Sequence, residues 1–332
     1  MKKKKKTIIV LFSGGMSPGA NAVVRAVTRT GINQGCIVKY AEGGYDGLIN
    51  GKIIRLHPNN VNDWNSKRGV KIRTSRSKEF HTLLGQQKAI ATLKKENADA
   101  LIILGGDGSF RGAFDLRKLH DIPIIGIPCT IDKNIAGTDY TIGYDSALNV
   151  IVDSIDNARA TGESHCRIII VETRGKGAGF LALEGAIASS AEGAITEKPT
   201  AEMVRKILEN AKRKSKQSRI ILVSEIVGKK EGTAAEQVER LVNKHFPNYE
   251  TRKITLGLLQ SGGEPSAQDR FLGSIFGELA VKTLIERSGE NLLHMVALQN
   301  GKAVIVPMEN RQSTELPESH WETMFNLAKV LY

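Results

Sequence analysis

The sequence predicts an α/β protein built as two doubly wound lobes with largely parallel sheets. Three observations predict it. Short apolar runs alternate with amphipathic helical stretches along most of the chain. Those runs are near-continuous in apolar residues, the pattern of strands buried on both faces. The 332 residues also exceed the length at which a single core stops growing, roughly 250–300 residues.

The elements follow in order. Residues 7–12 read as a strand, SGGMSPGAN as a glycine-rich turn, 22–35 as a helix and CIVKYA as a second strand, which together make a βαβ unit. A helix over 80–97 leads to the strand ADALIILGG, a helix over 109–119 to the strand IPIIGIP. A helix over 146–161 precedes the strand RIIIVET, and RGKGAG opens a helix near Phe180. The second half repeats the style. Thr200 is placed to cap the helix in TAEMVRKILENAKRK. SRIILVSEI, a helix over 233–245, the strand RKITLGLLQ and a long helix over 265–286 follow. MVALQNGKAVIVPM alternates around Asn300-Gly301, a hairpin signal. A helix around WETMFNLAKVLY closes the chain. No repeat or low-complexity linker separates the halves.

Composition is that of an ordinary globular protein, 41% hydrophobic and 25% charged. Cys36, Cys129 and Cys166 have neither metal-ligand nor redox spacing, so the expectation is a reduced compartment without disulfides. Cys129 reads as a packing residue, with a reactive thiol as the other reading. The apolar run at 8–12 is too short for a signal peptide, and no segment approaches the ~18 apolar residues of a membrane helix. A cytoplasmic protein with no membrane partner is expected. The net charge of +12 invites a nucleic-acid reading, but aromatics are 5% and no nucleic-acid motif appears. The lysines at 2–6 read as a solvated tail, and the remaining basic excess suits small phosphorylated ligands.

Ligands of open α/β sheets gather outside the carboxyl ends of the strands, and four such ends here carry chemistry. GGMSPG (14–19) joins a strand to a helix, either as a phosphate-binding loop or as a plain tight turn; no Gly-Lys-Ser/Thr follows, so it is not a Walker A loop. GGDGS (105–109) sets Asp107 between glycines, where a hard carboxylate suits Mg²⁺. PCTIDKN (128–134) offers Asp132 as a general base beside a phosphate site, or is merely a loop. VKIRTSRSKEF gathers Lys71, Arg73, Arg76 and Lys78, as a solvated loop or as a triphosphate clamp. The seven histidines form no ligand cluster or triad pairing.

The strings FSGGMSPGANAVVRAV, IILGGDGSFRGA, PCTIDKNIAGTDYTIGYDSAL, SHCRIIIVE, ETRKITLGLLQSGGEPSAQDR and AKVLY occur in one order and spacing. By them the chain resembles 6-phosphofructokinases of the bacterial single-copy length, from about residue 7 to the end. The resemblance implies a phosphofructokinase-like fold of two Rossmann-like lobes. Residues 1–140, with part of the C-terminus, would be the ATP lobe. Residues 141–310 would be the sugar-phosphate lobe, and 311–332 a helix packing back. It implies a glycolytic kinase that moves the γ-phosphoryl of ATP to the 1-hydroxyl of fructose 6-phosphate with Mg²⁺, in a homotetramer or a hetero-oligomer with a paralogue. Gly108 and Cys129 match the ATP-using rather than the pyrophosphate-using pattern.

Carried over by position, Gly15, Tyr45, Arg76, Gly105, Gly106, Gly108 and Ser109 match the nucleotide side and Asp107 the metal ligand. Thr130 and Asp132 match the catalytic loop, with Arg76 beside it. Glu225 matches the acid that holds sugar hydroxyls, Arg174 and Lys176 are candidate substrate-binding residues beside it, and Arg167 and Arg252 match arginines that reach the sugar phosphate of a neighbouring subunit. The chain also departs from the pattern. It has Met16 for an Asp, Lys133-Asn134 for Asn-Asp, Arg174-Gly175-Lys176 for Met-Gly-Arg, and Leu258 and Ser261 for a His and an Arg that grip the sugar phosphate. Two readings compete with the active enzyme. One is a non-catalytic regulatory subunit, the other a kinase of a different acceptor. In the active reading, Arg174, Lys176 or Lys133 supplies the missing positive charge.

Overall fold

The computed structural model describes residues 5–163, 167–176, 178–213, 219–225 and 232–308, and six near the C-terminus (324, 326–328, 330–331). The chain divides into two compact units, Met1–Ser146 with Glu264–Ser313, and Ala147–Gly263 with Thr314–Tyr332.

The first unit is organised by β1 (Thr7–Ser13), buried along its whole length. It continues through α1 (Ala20–Asn33), β2 (Ile37–Ala41), α2 (Gly44–Ile49), β3 (Ile53–Arg55), α3 (Leu83–Lys95), β4 (Ala100–Gly105), α4 (Asp107–Leu119) and β5 (Ile124–Pro128). Helix α5 (Tyr144–Glu163) leads into the second unit: β6 (Ile168–Thr173), α6 (Phe180–Ala188), β7 (Gly193–Ile195), α7 (Ala201–Arg213), β8 (Arg219–Ser224), α8 (Ala234–His245), β9 (Thr251–Thr255) and α9 (Leu258–Ser261). The chain then returns to the first unit with α10 (Ala267–Glu286), β10 (Leu293–Gln299) and β11 (Lys302–Pro307).

The first sheet has seven strands in the order β11-β10-β5-β4-β1-β2-β3, and the second four in the order β7-β8-β6-β9. Pairings are parallel except for β2 with β3 and the β10–β11 hairpin. The hairpin turn falls at Asn300 (φ 51°) and Gly301 (φ 75°), the two left-handed residues that a tight primed turn needs. Both faces of the first sheet are covered. Ile8, Val10 and Phe12 of β1 pack in one apolar cluster with Val23 and Val27 of α1 and Phe276 of α10; Ile9 and Leu11 point to the other, with Leu48, Leu93 and Leu116. This two-sided burial is why the strands read as unbroken apolar runs. Helices α1 and α10 meet closely because Gly277 lacks a side chain, since a Cβ there would lie 2.8 Å from both Ala26 Cβ and Val23 O.

Several expectations change. The sugar-phosphate lobe expected at 141–310 gives way to a second unit of Ala147–Gly263. Helix α10 and the hairpin belong with the first sheet because Leu293 pairs with Ile124 and α10 packs on α1. The helix expected at 311–332 lies mostly outside the described residues. The strand read through Gln260 stops at Thr255, because Gly257 turns at φ 47°, ψ −116° and a one-turn helix follows. Helix α4 starts at Asp107 rather than at Ser109, which places Asp107 in its first turn. Lys6 is no part of a solvated tail: its ammonium donates to Leu284 O (2.6 Å) and Ser288 Oγ (2.9 Å) at the end of α10. Thr200 caps α7 as expected, accepting from Met203 N at 3.3 Å. Cys36 and Cys129 are free and buried, and burial pushes the Cys129 thiol well above its ordinary range, which favours the packing reading. Cys166 lies outside the described residues.

Candidate active site

In the first sheet, the chain leaves β1 toward β2 on one side and reaches β4 on the other, so a topological switch point falls between β1 and β4. The loops at 14–19 and 105–109 leave the carboxyl ends of these two strands. They are clasped together. Ser109 Oγ donates to Ser13 O at 2.8 Å, Gly14 N donates to Ser75 O at 3.0 Å, and Thr74 Oγ1 donates to Gly14 O at 3.0 Å. Gly105 must be glycine, because a Cβ there would overlap Ser109 Oγ and lie 2.6 Å from Ser13 O. Gly15 is exposed, and a Cβ on it would lie 3.5 Å from the Arg76 guanidinium, so that arginine stands over the first glycine loop. Lys71, Arg73 and Lys78 are exposed, and Arg73 pairs with Glu42 at 3.4 Å.

The third loop joins through β5. Cys129 N donates to Gly105 O at 2.9 Å, and Gly106 faces Thr130. Thr130 Oγ1 accepts from Asp132 N at 3.2 Å, and Thr141 Oγ1 donates to Thr130 O at 2.7 Å. Thr130 therefore keeps its hydroxyl proton for donation while its carbonyl is tied down. Asp132 is 9% exposed. Lys133 takes a left-handed backbone (φ 53°) and holds its ammonium 4.7 Å from the centre of the Tyr144 ring. The Asn134 side-chain oxygen is buried with no hydrogen-bond partner among the described residues.

Asp107, in the first turn of α4, forms an ion pair with Arg111 one turn on, and its side chain is 15% exposed. Among the described residues no group of three or more His, Cys, Asp or Glu forms a metal cage. One accessible carboxylate beside phosphate-type loops nevertheless fits Mg²⁺, which keeps its waters and takes most other ligands from phosphates. Tyr45 and Ser109 are brought to the loops but buried. The Tyr45 hydroxyl donates to Ser109 O at 2.8 Å and its ring stacks on Phe80 at 3.8 Å, so it supports the loop from behind. Burial pushes its phenol far above the ordinary range. Gly108 is exposed, with open space around it.

The second unit carries its own constellation, at the carboxyl ends of β6 and β8. Glu225 Oε1 accepts from Gly175 N (3.2 Å) and Lys176 N (2.8 Å), and Gln260 Oε1 accepts from Arg174 N (2.8 Å). Two side chains from other elements thus pin the loop that presents Arg174 and Lys176. Gln260 itself is fully buried, and its role was not visible in sequence beyond its place in the QSGG string. Arg167 and Arg252 are elsewhere. Both grip Glu250, at 2.7 and 2.5 Å, at the amino-terminal end of the same sheet. Strand β6 has six residues, so about 20 Å of strand separates them from Glu225. The hydrogen bond from Arg167 holds the Glu250 carboxyl below the usual carboxylate range. Leu258 is 79% exposed and Ser261 is buried.

A family model described as Phosphofructokinase matches residues 7–284. The chain belongs to the phosphofructokinase family. Among members of that family, "ATP-dependent 6-phosphofructokinase 2" of Bacteroides thetaiotaomicron is 43% identical over 314 residues, 94% of each chain. "ATP-dependent 6-phosphofructokinase" of Bacillus subtilis is 40% identical over 333 residues, 98% of this chain and 99% of that protein. The solved phosphofructokinase of Saccharomyces cerevisiae superposes with a TM-score of 0.85 at 32% identity, covering 98% of this chain and 48% of the yeast chain. A pyrophosphate-dependent phosphofructokinase from Nitrosospira multiformis shares the fold alone, with a TM-score of 0.83 at 18% identity. The expected family, α/β class and kinase type are borne out.

Proposed function

We infer that the chain is an ATP-dependent 6-phosphofructokinase, which transfers the γ-phosphoryl of ATP to the 1-hydroxyl of fructose 6-phosphate. The observation that carries this reading is the clasp in the first unit. It brings two glycine loops, Arg76 and the Thr130–Asp132 turn to one place at the switch point. The glycine loops and the start of α4 present backbone N–H groups to phosphates. Arg76 neutralises charge as it spreads over the transferred group. Asp132 takes the proton of the attacking hydroxyl, with the Thr130 hydroxyl as a donor beside it. Asp107 would hold Mg²⁺, which supplies charge neutralisation on the phosphates.

On the acceptor side, Glu225 spends one oxygen on the 175–176 backbone and offers the other to sugar hydroxyls, while Arg174 and Lys176 supply cations. Arg167 and Arg252, at the opposite end of the sheet, act on the sugar phosphate of a neighbouring subunit in a homotetramer or a hetero-oligomer with a paralogue. Among the described residues no helix is long and apolar enough to cross a membrane, and a glycolytic kinase would work in the cytoplasm.

The test is a coupled assay with ATP, Mg²⁺ and millimolar fructose 6-phosphate. Turnover that needs all three supports the reading. Absence of turnover, with any paralogue also present, overturns it. One observation favours a second reading, a non-catalytic regulatory subunit: an exposed leucine, Leu258, stands where the family pattern has a phosphate-gripping histidine. Nucleotide binding without turnover, together with altered kinetics of a co-purifying paralogue, would decide for it.

A further inference from the structure

Asp269, in the first turn of α10, is fully buried. Four donors converge on it. Its Oδ1 accepts from Gly143 N (2.7 Å) and the Tyr140 hydroxyl (3.2 Å), and its Oδ2 from Ser146 N (2.9 Å) and Ser146 Oγ (2.5 Å). The two carboxyl oxygens thus take all four contacts, while burial raises the group's pKa above the ordinary carboxylate range. Capping α10 does not require it, because the Ser266 side chain already accepts from Asp269 N at 3.2 Å. The three residues it holds all belong to the 140–146 segment.

That segment touches both halves of the clasp. Thr141 Oγ1 donates to Thr130 O at 2.7 Å, next to the proposed base. Ile142 N donates to Pro128 O at 2.9 Å, and Ile142 O accepts from Ser17 Oγ at 2.5 Å. Ser17, in the first glycine loop, is fully buried and leaves no room for a side chain at Gly143. Asp269 also abuts the start of α1, where a Cβ on Gly19 would lie 2.9 Å from both Asp269 Cβ and Ile142 Cγ2.

We propose that Asp269 is a positioning residue for phosphoryl transfer: it fixes the 140–146 segment, which sets Thr130 through Thr141 and the first glycine loop through Ser17. The proposal rests on the activity reading above for its catalytic arm. Asp269 touches no reacting group itself. Its effect runs through two named hydrogen bonds, and that makes it separable from a merely structural carboxylate.

The experiment is a pair of double-mutant cycles on the full-length protein, assayed well below each variant's melting temperature. Asp269→Asn turns one acceptor oxygen into an amide NH₂ facing two donors. It is expected to lower kcat roughly tenfold to a hundredfold and to weaken ATP binding by only about two- to fivefold. Thr141→Val removes the bond to Thr130 at constant shape. Combined with Asp269→Asn it should lower kcat no further than Asp269→Asn alone, because both act through one link. Ser17→Ala, with ATP affinity measured by calorimetry, should behave in the same way. Effects that multiply in both cycles overturn the proposal, as does an Asp269→Asn protein of lowered melting temperature with normal kcat and ATP affinity. If Asp269→Asn does not fold, Tyr140→Phe and Ser146→Ala each delete one donor and enter the same cycles, with smaller expected losses of about two- to fivefold. A wild type that binds ATP without turning over fructose 6-phosphate sinks the activity reading and with it the Thr130 arm, and the Ser17 cycle still decides the arm that sets the first glycine loop. One that does neither sinks both.

Discussion

The carboxyl edges of the two sheets build their sites by different means. At the first, backbone does the shaping. Gly105 brings main chain close to main chain, Gly14, Gly15 and Gly106 face the side chains of Ser109, Arg76 and Thr130, and small hydroxyls of Ser109, Thr74 and Thr141 lock the loops. At the second, long side chains do the shaping: Glu225 and Gln260 hold a short loop that carries a half-buried Arg174 and an exposed Lys176, with Leu258 exposed nearby in sequence. A backbone-built site tolerates little change where main chain meets main chain, as at Gly105, whose added Cβ would lie 2.6 Å from Ser13 O. A side-chain-built site is adjustable, and the departures from the family pattern at Arg174, Leu258 and Ser261 all fall there. The first edge is not untouched, with Met16, Lys133 and Asn134, but its glycines and its Thr130-to-Asp132 turn are intact.

The two edges should differ most sharply at Asp132. Asp132→Asn should lower kcat by about 10²- to 10⁴-fold, with ATP affinity from calorimetry nearly unchanged. Full activity in that variant would remove the first edge as the catalytic one. Next in size is a glycine pair. Gly105→Ala should weaken ATP binding more than about tenfold and lower the melting temperature, because its Cβ has nowhere to go. Gly108→Ala, with nothing within 4 Å, should leave the melting temperature within about 2 °C. Equal behaviour of the two would refute the claim that backbone approach shapes this edge.

At the second edge, Gln260→Leu leaves Arg174 N without its acceptor. The KM for fructose 6-phosphate should rise roughly five- to fiftyfold, with the KM for ATP unmoved. A rise in the ATP KM instead would mean that the two edges do not divide the substrates as proposed.

The smallest expected effect is on stability. Burial lowers the affinity of His120 and His294 for a proton, and each has a buried Nδ1 without a hydrogen-bond partner among the described residues. The unfolded chain therefore takes up these protons first as pH falls through its ordinary histidine value, near 6.5. Melting temperature should drop modestly between about pH 7.5 and 5.5, and His294→Gln should flatten part of that slope. A slope unaltered in the variant would show that His294 does not contribute to it.

The legibility of the molecule follows the same division. Apolar runs covered on both faces announced the strands, and Asn300-Gly301 announced its hairpin, because burial and left-handed turns act on residues close in sequence. The glycine loops and the Thr130–Asp132 turn could be proposed from sequence because each is a contiguous motif. Tyr45 was placed on the ligand side from sequence, whereas its ring stacks on Phe80 behind the loop. Gln260 and Asp269 had no local signal for what they hold, since their partners lie 86 and at least 123 residues away.

The sequence by itself therefore determined the α/β class, the order of the early strands and helices, and the family, all through short-range pattern. Tertiary structure alone decided that residues from Glu264 rejoin the first sheet, that Gly257 ends a strand read as continuing, and that one buried carboxylate ties α10 to the 140–146 segment. Each of those outcomes is a contact across a long stretch of chain. Its energy depends on which distant backbone groups are left needing a partner, and no window of sequence contains that information.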